Sequence, residues 1–93
     1  MTGAAPLQPE VDAFLAWLAV ERRMSPHTIS AYRRDLADLA AWMRDAGLEQ
    51  WSRLRQEALR TYVAGAHRRG LSGKSLQRRL SAIRSFFGWL GRE

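Results

Sequence analysis

Apolar side chains recur along this chain every three to four residues, which is the spacing of one face of an α-helix. The first such stretch predicts a helix over about residues 9–23. Its apolar face carries Val11, Phe14, Leu15 and Leu18. Runs of β-branched residues are missing, and so are the Asn-Gly and Asp-Gly turns typical of β-hairpins. The pattern therefore predicts an all-α protein.

The second helix has the clearest start in the sequence. Ser25 is a residue type that caps free N–H groups at a helix N-terminus, and Pro26 presets the backbone angle of the first helical residue. Apolar residues then follow at alternating intervals of three and four, and Gly47 ends the helix. This apolar face comprises Ile29, Tyr32, Leu36, Leu39 and Met43.

Two further helices complete the pattern. The third covers about residues 56–69 and is stopped by Gly70. The fourth covers about residues 73–90, between Ser72 as its cap and Gly91 as its end. Its inner face is expected to carry Leu76, Leu80, Ile83, Phe87 and Leu90.

Short links punctuated by Gly or Pro join these helices, which favours a compact four-helix bundle. A chain of 93 residues suffices for one hydrophobic core. We expect residues 9–91 to form this single domain and residues 1–8 to be a disordered lead. Trp51, in the link before the third helix, is expected to plug the bundle.

Composition narrows the possible chemistry. Without cysteine the chain can hold no disulfide, no thiolate zinc site and no cysteine nucleophile. No apolar run approaches the roughly 20 residues of a membrane span, and no secretory signal is visible at the N-terminus. We therefore expect a cytoplasmic protein that makes no membrane contact and needs no metal or cofactor.

The net charge of +6 is concentrated in the second half of the chain. Residues 1–57 are nearly neutral, whereas residues 58–92 contain eight basic side chains and no acidic one. The eight are Arg60, Arg68, Arg69, Lys74, Arg78, Arg79, Arg84 and Arg92. Such a segment attracts a polyanion, most commonly nucleic acid, although an arginine-rich solvated surface is the simpler alternative.

One face of the fourth helix suits a DNA groove. At 100° per residue, the side opposite the expected inner face carries Lys74, Arg78, Ser81 and Ser85, with Gln77 and Arg84 on one shoulder. Basic side chains reach phosphates or guanine edges, and short hydroxyls allow close approach. A merely solvated helix would ordinarily mix in acidic residues, and this one has none.

Three stretches of the sequence carry a resemblance to a known family, and the first predicted helix is one of them. The run E-R-R-M-S-P-H-T-I-S-A-Y-R-R-D-L over residues 21–36 fits the pattern S-x-x-T-x-x-x-Y-x-x-D-L, and residues 70–90 fit the helix that ends the same domain. The chain thus resembles, over residues 11–90, the N-terminal core-binding domain of Xer-type tyrosine recombinases and phage integrases. The ending R-S-F-F-x-W-L, together with L-x-x-W at residues 48–51, is more similar to the XerC subtype than to XerD.

This resemblance implies a fold, a role and a set of contacts. The fold would be a SAM-like four-helix domain that covers one side of duplex DNA. A larger catalytic domain, absent from this chain, would close from the other side. Members resolve chromosome dimers as DNA-bound tetramers with a XerD-like partner recombinase. The DNA contacts it implies fall on Thr28, Ser30, Ala31, Lys74, Gln77 and Arg78, to which the charged face adds Ser81 and Arg84. Ser30 and Ala31 depart from relatives with longer side chains.

By itself the chain is not expected to be an enzyme. Tyrosine recombinases cleave DNA with a tyrosine nucleophile aided by cationic residues, and the resemblance assigns these to the catalytic domain. Here Tyr32 and Tyr62 lie on apolar faces and are expected to pack in the core. His27 and His67 are expected at the surface, too far apart in sequence for a metal motif.

Two other kinds of function stay open at this point. A helical protein-interaction module would use Phe86 and Trp89, which lie off the expected inner face, together with the basic face to dock an acidic partner. A free-standing transcription regulator would need a helix–turn–helix and a dimerising element, and neither is clear. The isolated chain is expected to be mainly monomeric.

Overall fold

The computed structural model describes residues 7–92 and consists of four α-helices. They are α1 (Gln8–Val20), α2 (Pro26–Asp45), α3 (Gln56–Arg68) and α4 (Gly73–Arg92), with a short 3₁₀ turn at Trp51–Arg53. No strand occurs in this part of the chain, so the all-α prediction is confirmed. The fourth helix does not end at Gly91 as expected but continues through it to Arg92.

Local sequence signals set the ends of the helices. Ser25 caps α2, because its Oγ accepts a hydrogen bond from the Thr28 backbone N–H at 3.1 Å. Gly47 follows α2 with φ +80°, and Gly70 follows α3 with φ +91°. Both glycines occupy the left-handed region that lets the next residue close the helix end, so both predicted stops are confirmed. The turn after α1 uses Arg23 at φ +51°, where no glycine is present.

Aromatic side chains from three elements meet in the core. The Phe14 ring lies 5.3 Å from Phe86 and 5.7 Å from Trp89, measured between centroids. Trp51 lies 4.7 Å from Phe86 and donates its indole N–H to the Leu7 carbonyl at 3.0 Å. Trp51 therefore plugs the bundle as predicted.

The folded domain begins two residues earlier than the sequence predicts. Leu7 is fully buried in the core and Gln8 begins α1, because the indole of Trp51 ties the Leu7 carbonyl to the bundle. The lead expected over residues 1–8 is thus wrong at its last two positions. Residues 1–6 lie outside the described part of the chain.

The inner face of α4 is rotated by roughly a quarter turn from the prediction. The buried apolar side chains on this helix are Ala82, Ile83, Phe86 and Trp89. The expected inner residues Leu76, Leu80, Phe87 and Leu90 are only half-buried. Apolar residues cover a wide arc of this helix, and the large rings of Phe86 and Trp89 occupy the space over Phe14 because aromatic burial contributes most.

The helices pack unequally around this core. α2 contacts both α1 and α4, whereas α3 contacts α4 along a short stretch. The side chains of α3 and α4 beyond that stretch leave open grooves on the surface. None of the helices within residues 7–92 combines the length and the apolar character needed to cross a membrane.

Candidate nucleic-acid interface

The outer surface of α4 is basic and polar. Lys74, Gln77, Ser81 and Arg84 are all exposed there. No acidic residue occurs anywhere on α4, so no carboxylate within the helix offsets its positive charge. Four of the residues predicted to contact DNA therefore share one accessible helix face, which we call the basic face.

Arg78 takes a different position from the one the sequence suggested. It turns toward α2 and donates from Nε to Asp35 Oδ2 at 2.9 Å and from Nη2 to Asp35 Oδ1 at 2.8 Å. Its side chain is 40% exposed, so part of the guanidinium still faces solvent at the edge of the basic face. The expectation of a purely solvent-facing Arg78 is wrong, because a buried carboxylate on α2 holds it. A guanidinium has five N–H donors, so three are not used by this pair.

Asp35 is the centre of a polar network inside the bundle. Its carboxylate is fully buried and also accepts a hydrogen bond from Arg79 Nε at 3.2 Å. Arg79 Nη1 continues to Asp38 Oδ2 at 2.7 Å, and the Tyr62 hydroxyl donates to the same oxygen at 2.7 Å. Since these residues come from α2, α3 and α4, the network fixes the position of α4 relative to the other two helices.

The charged and polar groups in this network stabilise one another. Hydrogen bonding to Asp35 raises the pKa of Arg78, which keeps the guanidinium charged. Burial raises the pKa of Tyr62, and its hydrogen bond to Asp38 adds to that rise. A buried carboxylate is costly unless it is paired, and Asp35 has two arginines as partners.

This network was not predicted from the sequence. A signal was present, because Asp35 stands four residues after Ala31 and four before Leu39, on the inward side of α2. An ionisable residue at such a position requires a partner of opposite charge. The sequence predicts a DNA contact for Arg78 and only a contribution to the positive charge for Arg79, and it pairs neither with Asp35.

The three α2 residues predicted to contact DNA differ in their exposure to solvent. Ser30 is exposed and accepts a hydrogen bond from Arg34 Nη1 at 3.3 Å. Thr28 is half-buried, and its Oγ1 accepts a hydrogen bond from Ser25 Oγ at 3.1 Å. Ala31 is only 8% exposed, so its methyl group offers little surface for the contact that the resemblance implies.

The predicted DNA-contact residues on α2 and those on α4 are connected only indirectly. No hydrogen bond within residues 7–92 links Thr28 or Ser30 to the basic face. The ion pairs between α2 and α4 are those of Arg78 and Arg79 with Asp35 and of Arg79 with Asp38. The basic face on α4 is therefore the better-defined part of the candidate interface.

Phe86 and Trp89 do not offer the exposed aromatic surface that a protein-interaction module would use. Phe86 is fully buried and Trp89 is 8% exposed, so neither can dock an acidic partner. Tyr62 is buried, as predicted, while Tyr32 is half-buried, and both His27 and His67 are exposed as predicted. Within residues 7–92 no group of three or more His, Cys, Asp or Glu side chains is placed to hold a metal ion.

Comparison with known proteins places the chain in a family. The family described as "Phage integrase, N-terminal SAM-like domain" matches residues 11–93. Tyrosine recombinase XerC of Xanthomonas campestris pv. campestris is 52% identical over 95% of this chain, and the match spans 27% of that protein. The XerC of Xylella fastidiosa is 54% identical over 86% of the chain, and that of Pseudomonas syringae pv. tomato is 42% identical over 94%.

These relatives are much longer than the chain. It spans 27% of the Xanthomonas and Xylella proteins and 29% of the Pseudomonas protein. No solved structure matches it.

Proposed function

Because the chain belongs to the phage integrase N-terminal SAM-like domain family, we propose that it grips one face of duplex DNA as the core-binding domain of a XerC-type tyrosine recombinase. The observation that carries this proposal is the basic face of α4, where Lys74 and Arg84 are exposed and no carboxylate interrupts the helix. Phosphate contacts supply a large share of the affinity of DNA-binding proteins and position them on the duplex.

The side chains on the basic face divide into two groups by chemistry. Lys74 and Arg84 are charged and exposed, which suits contacts to phosphates. Gln77 and Ser81 are exposed and uncharged, and their donors and acceptors suit base edges in the major groove. The basic face would thus combine positioning with readout of the sequence.

Arg78 would act at the edge of this surface with a fixed geometry. Asp35 binds two of its N–H groups, so the side chain loses little conformational freedom when the remaining donors meet a phosphate or a guanine. A freely rotating surface arginine would have to be ordered on binding. Asp35 therefore serves as a positioning residue for a DNA contact that Arg78 makes.

Strand cleavage would be carried out elsewhere in a protein of the relatives' length. Tyr62 is a poor candidate nucleophile, because its hydroxyl is buried, donates to Asp38 and has a raised pKa. The full recombinase would work in the cytoplasm in a DNA-bound tetramer with a XerD-like partner. This chain would contribute one of the domains that face the duplex.

A direct test is a fluorescence-anisotropy titration of the chain with duplex DNA at several salt concentrations. We expect weak binding that falls steeply as salt rises, because bound phosphates release counterions. An acidic peptide of similar charge serves as the control and should bind far more weakly. Equal binding to the peptide, or a covalent adduct with nicked DNA, would overturn the proposal.

A further inference from the structure

A small pocket lies where the turn after α1 meets α2 and the second half of α4. It has a volume of about 300 Å³, at the lower end of the roughly 300 to 1,000 Å³ typical of small-ligand sites. Its lining comes from all three of these helices and from the turn, and includes no carboxylate. We call it the Arg22 pocket. The lining residues that matter for its chemistry are Trp17, Arg22, Tyr32, Arg84, Ser85 and Gly88.

Two arginines give the Arg22 pocket its positive charge. Arg22 and Arg84 are both exposed, and no ion pair in the described part of the chain involves either of them. Glu21 is next to Arg22 in sequence but does not line the pocket. Tyr32 and Ser85 add hydroxyl groups to the lining. A concave site with two guanidinium groups, two hydroxyls and no carboxylate suits a phosphate group.

The Arg22 guanidinium is held over an aromatic ring. Its central carbon lies 5.8 Å from the centroid of the Trp17 ring, within the range of a cation–π interaction. Backbone hydrogen bonds fix the turn that carries it, from the Glu21 N–H to the Trp17 carbonyl at 2.8 Å and from the Met24 N–H to the Leu18 carbonyl at 3.2 Å. Arg22 therefore loses little conformational freedom when it meets a ligand. A nucleobase could stack on this side of Trp17 only by displacing Arg22, which favours phosphate as the ligand.

The Arg22 pocket adjoins the basic face of α4, because Arg84 belongs to both. Arg84 follows Lys74 by ten residues, which corresponds to about 15 Å along an α-helix. The major groove of B-DNA is about 12 Å wide. The charges at the two ends of the basic face are thus spaced to reach phosphates on both edges of one groove, with Gln77 and Ser81 between them.

We propose that the Arg22 pocket binds a phosphate group between the guanidinium groups of Arg22 and Arg84. Each guanidinium can donate two parallel N–H groups to phosphate oxygens, and the hydroxyls of Tyr32 and Ser85 can donate to the others. On DNA the ligand is a backbone phosphate at the edge of the major groove, a use that rests on the proposed function. The binding of a free phosphate ion does not rest on it.

Two variants disable the pocket in different ways. Arg22→Ala removes one of its two charges, whereas Gly88→Leu fills it and leaves the charge unchanged. A Cβ added at Gly88 meets no atom within 4 Å, so the backbone accepts a side chain there. The matched controls lie outside the pocket: Arg53→Ala, at an exposed arginine of the 3₁₀ turn, and Gly91→Leu, where an added Cβ also meets nothing within 4 Å. Circular dichroism checks that each variant is folded.

The first measurement is a titration of the isotope-labelled chain with inorganic phosphate at constant ionic strength, followed by amide chemical shifts. We expect saturable shifts at Met24 and Ser85 in the millimolar range for the wild type and both controls. Arg22→Ala and Gly88→Leu should lose these shifts. No shifts in the wild type, or shifts that the pocket variants and the controls keep or lose alike, would overturn the proposal.

The second measurement is a titration with duplex DNA at several salt concentrations, which identifies the source of the phosphate. If the DNA backbone supplies it, Arg22→Ala lowers the slope of log affinity against log salt by about 0.9, whereas Arg53→Ala keeps the wild-type slope. If Arg22→Ala loses only the inorganic-phosphate shifts and keeps the wild-type slope, the pocket binds a small phosphorylated molecule and its use on DNA is rejected. A chain that shows the phosphate shifts but does not bind duplex DNA would reject the proposed function and support the phosphate site.

Discussion

Arg78 grips the carboxylate of Asp35 with two hydrogen bonds of 2.9 and 2.8 Å, although Asp35 is fully buried and Arg78 is 40% exposed. One arginine thus links the core of the bundle to its candidate DNA surface. We predict that removal of Arg78 lowers both the stability of the fold and the affinity for DNA, whereas removal of the exposed Lys74 lowers the affinity for DNA alone.

Substitutions in this pair should be destabilising to different degrees. Asp35→Ala leaves two arginines without their buried partner and should lower the free energy of unfolding by about 3 kcal/mol. Arg78→Ala leaves Asp35 with Arg79 and should cost about 1 to 2 kcal/mol. Lys74→Ala, the surface control, should change stability by no more than about 0.5 kcal/mol. Urea unfolding followed by circular dichroism measures all three, and equal costs for Arg78→Ala and Lys74→Ala would contradict the network.

The corrected inner face of α4 gives a second prediction. Phe86→Ala removes a fully buried ring in contact with Phe14 and Trp51, and should cost about 3 to 5 kcal/mol. Leu80→Ala changes a half-buried residue at an open surface groove between α3 and α4 and should cost only about 1 kcal/mol. Thermal unfolding of both variants checks the order. A larger loss for Leu80→Ala would restore the inner face expected from the sequence.

These two cases show how far the sequence alone determines the structure. Helix ends depend on local chemistry, so Ser25, Gly47 and Gly70 could be assigned correctly without any tertiary contact. The inner face of α4 could not, because apolar residues cover much of its circumference and only packing against Phe14 selects one side. Likewise, the basic face could be predicted from the charge of its residues and their helical spacing. The role of Arg78 could not, because it depends on Asp35, which is distant in sequence.

The turn after α1 gives a third prediction. Arg23 has φ +51°, a conformation that costs a residue with a Cβ atom about 1 kcal/mol or more. Arg23→Gly should therefore be more stable than Arg23→Ala by about 1 kcal/mol, since both remove the same charge and only Gly relieves the backbone. Parallel urea titrations of the two variants give this difference directly. Equal stability of the two would show that the turn is not strained.

Tyr62 gives a prediction about alkaline pH. The pKa of Tyr62 is raised in the folded chain. An unfolded tyrosine loses its phenolic proton at about pH 10, whereas folded Tyr62 still keeps its proton at that pH. The stabilisation from Tyr62 is complete below that pH and is lost as the pH rises further. The difference in unfolding free energy between wild type and Tyr62→Phe should therefore shrink above about pH 10. A difference that stays constant or grows would contradict the buried hydrogen bond to Asp38.

The salt dependence of DNA binding by one variant shows whether the basic face of α4 lies on the duplex. Lys74→Ala should bind duplex DNA more weakly than wild type and should lower the slope of log affinity against log salt by about 0.9, the value for one phosphate contact. Arg53→Ala is the matched control, because Arg53 is an exposed basic residue in the 3₁₀ turn outside this face. We expect Arg53→Ala to keep the wild-type affinity and slope. A wild-type slope for Lys74→Ala together with a reduced slope for Arg53→Ala would place the DNA on another surface of the domain.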